Sequence, residues 1–126
     1  MTTIYHIITQ NDWQQAQAAG TYHAESLTTQ GFIHFSRRDQ ILLVANAVYH
    51  GQRDLLLLVV DPARLSAELR YEAPDPTQPV PHDPADRFPH LYGPLNLDAV
   101  ERVVAFPPQA DGTFRLPGDL YPPTAG

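Results

Sequence analysis

The run Leu55-Leu56-Leu57-Leu58-Val59-Val60, closed by Asp61-Pro62, sets the first condition on any fold this chain can adopt. A strand apolar at every position has two greasy faces, so it belongs at the centre of a sheet with a layer packed on each side. No apolar run is longer, and this one is far short of the roughly 20 residues that a membrane-spanning helix requires. With 126 residues, 43% of them hydrophobic, the chain has the size of one domain and can cover both faces from its own length.

The elements that could supply those layers are short. Thr3 to Ile8 is rich in β-branched and aromatic residues and reads as a strand, with Ile4, His6 and Ile8 on one face and Tyr5 and Ile7 on the other. Thr9 and Asp12 have capping-box spacing, Trp13, Ala16 and Ala19 recur at helical period, and Gly20 stops the helix. Tyr22 then packs beneath a turn, and Glu25 to Thr28 connects to a second strand, Gly31-Phe32-Ile33-His34-Phe35-Ser36. There Phe32, His34 and Ser36 point one way and Ile33 and Phe35 the other. Ser36 and Asp39 again have capping-box spacing, predicting a helix from Asp39 to His50 that ends at Gly51. Beyond the central run, Asp61 to Leu65 reads as a single helical turn, Leu69 to Glu72 as a strand and Val100 to Phe106 as the last strand. The expected class is α+β, two short helices packed on a bent, mainly antiparallel split sheet.

Thirteen prolines punctuate the rest, most of them between Pro74 and Pro94 and from Pro107 onward. They predict a long surface loop from Ala73 to Arg87 and a proline-rich tail over 107–126 following a single domain over 1–106. Phe88 to Leu95, with two aromatics, a histidine and a Gly-Pro pair, reads either as a rigid turn plugging the end of the sheet or as a wall of a site.

Composition removes several functions. The chain has no cysteine, which excludes disulfides, thiolate metal sites and a cysteine nucleophile and fits a reducing, cytoplasmic setting. Its first residues lack the basic flank and apolar run of a signal peptide. The net charge of −6 argues against duplex nucleic acid as a partner, which needs a basic face. No feature calls for a membrane; a protein partner is left unknown, and in a non-catalytic reading the proline-rich tail after Phe106 could contact one.

The chemistry rests on histidines. His6, His34 and His90 stand in ordered apolar surroundings, whereas His23, His50 and His82 stand in looser ones. A metal site would need His90 and a carboxylate beside the other two, without a local ligand signature, so no metal is assigned. None of Ser26, Ser36 and Ser66 has a nucleophile-elbow pattern. A two-histidine phosphoesterase would need the His34-Phe35-Ser36 pattern twice, and Thr9 faces away from His6. Neither a P-loop nor a Rossmann glycine pattern is present. Arg37 and Arg38 beside the helix start at Ser36 could hold an anion, or could be solvated arginines of a first turn.

Taken together, Tyr5-His6-Ile7, Trp13, Gly20-Thr21-Tyr22, Gly31 to Ser36, Ala45-Asn46, Arg70-Tyr71-Glu72 and Pro89 to Leu95 resemble the small bacterial family known as domain of unknown function 952, over roughly Thr3 to Phe106. That family in turn resembles the ADP-ribosyltransferase superfamily, including its poly(ADP-ribose) polymerase and RNA 2′-phosphotransferase branches. The resemblance implies a nucleotide cleft, with NAD as a substrate and no resident cofactor. In it His6 would bond ribose hydroxyls, and His34 would take the place of a tyrosine that stacks on nicotinamide. Leu91 or Tyr92 would fall at the third position, where the polymerases carry a glutamate. Ser36, Arg37, His90, Leu91 and Tyr92 would line the substrate, with His6 and His34 as the catalytic pair. The departures are Ile7, in place of a glycine, and the missing glutamate. The competing class is a non-catalytic binding or interaction domain whose histidines are structural, and a histidine metal site is the third.

Overall fold

The computed structural model describes residues 2–74 and 85–120. Its architecture is α+β, with three antiparallel sheets and three helices. The central apolar run forms strand β4 (Leu55–Val60), flanked by β1 (Ile4–Thr9) and the last strand β8 (Val100–Ala105) in the order β1-β4-β8. Both faces of this sheet are covered, as an unbroken apolar strand demands. On one side Tyr5, Ile7, Leu55, Leu57 and Val59 pack against Ile41 and Ala45 of helix α3 (Ile41–Val48). On the other, Ile4, Ile8, Leu58 and Val60 meet Ile33, Phe35 and Leu91 from the second sheet and Ala16 of helix α1 (Gln10–Ala19).

The second sheet consists of β3 (Ile33–His34), β6 (Phe88–Tyr92) and β5 (Glu68–Glu72), with β6 in the middle and every pair antiparallel. A β-bridge joins the two sheets. The backbone of Tyr5 exchanges N–H···O bonds of 2.8 Å in both directions with Ser36, so β1 carries the seam between them. A small ribbon of β2 (Thr21–Tyr22) with β7 (Leu95–Asn96) closes one end.

Local chemistry accounts for several boundaries. Thr9 Oγ1 accepts from the Asp12 N–H at 3.1 Å, and Gly20 ends α1 at φ 82°, a left-handed conformation that glycine adopts without strain. Asp61 caps the turn Pro62–Arg64 through the Ala63 N–H at 3.0 Å.

Four expectations are corrected. Glu25–Thr29 is not a connector but a helix, α2, so three helices stand among the described residues. Ser36 does not cap the following helix, because its backbone is committed to Tyr5; a 3-10 turn over Arg38–Gln40 starts that helix, and Gln40 Oε1 accepts from the Arg37 N–H at 2.9 Å. Phe88 to Tyr92 is a strand and not a turn, with Pro89 near its start, where one missing ladder donor is tolerated. Finally, residues 107–120 do not trail away as a tail. Phe114 and Leu120 are buried with Phe106, and Asn46 Oδ1 accepts from the Phe114 N–H at 2.7 Å. The middle of the loop expected from Ala73 to Arg87, with His82, and the end of the chain beyond 120 lie outside the described residues.

Candidate functional site: a histidine-lined cleft at the seam

Where β1 meets the second sheet, the seam opens into a cleft of about 250 Å³. Its lining includes Thr9 and Asp12, Glu25 and Ser26 of the first turn of α2 (Glu25–Thr29), and His34, Ser36, Phe88 and His90 of the second sheet and its approach. The antiparallel register explains why the last two histidines line it together: His34 of β3 is paired with His90 of β6, so both side chains leave the same face of the sheet. Ile33, Phe35 and Leu91 leave the other face and fill the core.

His6 forms the floor and is 9% exposed. Its Nδ1 faces the backbone carbonyl of His34, which can only accept, so Nδ1 carries the proton and Nε2 must accept. The Tyr22 hydroxyl donates to Nε2 at 3.1 Å. Burial lowers the His6 pKa to about 4, outweighing the hydrogen bond to the His34 carbonyl, so the ring is neutral at pH 7. The phenols of Tyr22 and Tyr49 are pushed up, first by burial and then by the negative charge of Asp12, and remain protonated. His6 therefore has both nitrogens engaged by the protein.

His34 is half-buried at the rim, where its Nε2 and Gln30 Oε1 lie 2.7 Å apart, with imidazole the donor. Its ring meets His90 edge-on, with centroids 5.6 Å apart. His90 is 3% exposed and stacks on Phe32 at 4.1 Å, and its Nδ1 lies 2.8 Å from Glu72 Oε1. The same carboxylate oxygen accepts from the Tyr92 hydroxyl at 2.5 Å, and the Arg70 guanidinium lies over the Tyr92 ring at 4.5 Å. The bonds from Tyr92 and then His90 hold the Glu72 carboxyl below its ordinary range, keeping it ionised.

Of the residues singled out from the sequence, His6, His34, Ser36 and His90 line the cleft, whereas Arg37, Leu91 and Tyr92 do not. Leu91 is fully buried on the core side of β6. Tyr92 lies behind His90 as a partner of Glu72. Arg37 forms a two-point ion pair with Asp39, at 3.0 and 3.1 Å, and donates to the Arg87 carbonyl, so its charge is used within the fold. Sequence reasoning missed Glu72, Gln30, Asp12 and Glu25. Glu72 shares a strand face with Glu68 and Arg70, which gives it away as outward-facing, but its pairing with β6 is a tertiary fact.

Among the described residues, no group of three or more histidine or carboxylate side chains is placed to hold a metal ion. No helix among them is long and apolar enough to cross a membrane.

Fold and site thus define a small α+β protein with a cleft of mixed apolar, aromatic and polar lining at the seam of two antiparallel sheets. The family model described as "Protein of unknown function (DUF952)" matches residues 7–103, and the chain belongs to that family. The fold is similar to that of protein CC0527 from Caulobacter crescentus. Its crystal structure is 34% identical, with a TM-score of 0.78 over 94% of this chain and 97% of that one. Its solution structure is 32% identical, with a TM-score of 0.69 over 96% and 97%. No curated protein matches the sequence.

Proposed function

We propose that the cleft binds the nicotinamide–ribose end of NAD, or a nucleoside like it, as the first step of ADP-ribosyl-type transfer. The observation that carries this reading is the charge of the walls. Asp12 and Glu25 line the cleft, and no arginine among the described residues does. Such walls favour a flat, hydroxyl-bearing group that is neutral or cationic, as oxidised nicotinamide riboside is, and disfavour a phosphate inside the cleft. The volume agrees: about 250 Å³ lies just below the roughly 300–1,000 Å³ of drug-sized ligand sites, which suits one base with its sugar better than a whole dinucleotide. Hydroxyls at Ser26, Ser36 and Tyr22 and the Gln30 amide offer partners for the ribose and carboxamide. In this reading His34, half-buried and lining the cleft, stacks on the base.

His6 serves this site as a fixed floor and not as a direct ribose ligand, since both its nitrogens are engaged. The test is calorimetric titration with NAD, nicotinamide riboside and a nucleoside 2′-phosphate. The reading expects the first two to bind and the third to bind at least tenfold more weakly, with His34→Ala weakening binding while Tm stays within a few degrees. Preferential binding of the 2′-phosphate would overturn the assignment of the cleft.

A further inference from the structure

The Glu72–His90 pair has the construction of an acid–base device. A buried imidazole needs a single acceptor at one nitrogen, which any backbone carbonyl could supply, as the His34 carbonyl does for His6. His90 instead has an ionised carboxylate, itself held by Tyr92. With Nδ1 bonded to Glu72 and one ring face against Phe32, the remaining polar atom is Nε2. Among the described residues Nε2 has no hydrogen-bond partner, and no buried side-chain nitrogen or oxygen lacks one. Nε2 is therefore not sealed from solvent, and the ring that carries it lines the cleft.

We propose that His90 is the general base of the cleft and Glu72 its positioning residue. The assignment rests on the reading of the cleft as a nicotinamide–ribose site. With Nδ1 as the donor to Glu72, the uncharged tautomer of the ring that acts as base carries its lone pair at Nε2. In the step assigned to it, Nε2 takes a proton from a water or acceptor hydroxyl as that oxygen bonds to the ribose C1′. The bond from C1′ to the nicotinamide nitrogen breaks as the new one forms, and its electron pair stays on the nitrogen, so cationic nicotinamide leaves as the neutral base. The imidazolium formed lies against the Glu72 carboxylate, which stabilises it, and later releases its proton to solvent. No redox partner or further reactant is needed.

The experiment is single-turnover release of nicotinamide from NAD by the full chain, read by chromatography, with NAD binding measured in parallel by calorimetry. The wild-type protein is expected to bind NAD and release nicotinamide. His90→Gln should release it about 10²–10⁴-fold more slowly while retaining NAD affinity within a few fold. Glu72→Gln, which keeps an acceptor but removes the charge, should lower kcat at unchanged KM, a split that mere loss of packing would not produce. Should His90→Gln fold poorly, the Glu72→Gln result decides. Binding without release, or release unaffected by either substitution, would overturn the base assignment and leave the binding reading standing. Absence of NAD binding by folded wild-type protein would overturn both.

Discussion

The Tyr22 hydroxyl, in the two-stranded ribbon, donates to His6 Nε2 in the first strand across 3.1 Å, and so fixes the ring of His6 as neutral with its proton on Nδ1. The relationship ties the end ribbon to the main sheet at a residue that lines the cleft.

It also makes stability depend on pH in a definite window. The unfolded chain takes up a proton at His6 near 6.5, whereas the folded chain resists it until about 4. Between those values the unfolded state binds more protons, so stability rises with pH and falls as pH drops from 6.5 towards 4. The loss should reach roughly 3 kcal/mol, the equivalent of about 2.5 pKa units. Urea unfolding at intervals from pH 7.5 to 4 should show this decline, and the His6 Cε1–H resonance should stay at its neutral position throughout most of it. The carboxylates held below their ordinary range, such as Glu72 and Asp39, lose their contribution mainly at lower pH.

Phe114 is buried against Phe106, with ring centroids 4.9 Å apart, in the core cluster beneath helix α3. Phe114→Ala is expected to cost about 3–5 kcal/mol, the usual range for a buried phenylalanine. Removal of residues 107–126 should leave a chain without a cooperative unfolding transition. A truncated chain with unchanged Tm would show that the segment is dispensable.

Gly93 follows β6 at a point where a Cβ would stand 2.6 Å from the Cβ of Ala67. Gly93→Ala should therefore destabilise by about 1–3 kcal/mol through crowding. Combining it with Ala67→Gly should return part of that loss, and the coupling in a double-mutant cycle measures the contact.

Arg37 and Asp39 pair at the surface, Asp39 largely exposed and Arg37 about one-third exposed. Arg37→Ala should lower stability by less than about 1 kcal/mol, as is usual for exposed pairs, and leave NAD affinity unchanged. A large loss of affinity would return Arg37 to the site from which its position separates it.

What could be read from the sequence was what short-range chemistry decides. The apolar run gave β4, the Thr9–Asp12 spacing and Gly20 gave both ends of α1, and strand alternation separated Ile33 and Phe35 from His34. Strand β6 was hidden because Pro89 and Gly93-Pro94 look like turn chemistry, and its strand character comes from partners on β3 and β5. Helix α2 has no side-chain cap to announce it. For the site, alternation and composition pointed to His6, His34 and His90, but the assignment of roles needed tertiary information. His6 is closed off by Tyr22, while His90 gains a carboxylate from a residue 18 positions away.

The most direct test of the account is saturation-transfer NMR of the folded protein with NAD, ADP-ribose and nicotinamide. The account predicts transfer to the nicotinamide and adjoining ribose protons of NAD, stronger than to its adenine protons, and its loss in His34→Ala. Equal or stronger transfer to adenine, or no transfer from protein shown to be folded, would contradict the claim that this cleft receives the nicotinamide–ribose end.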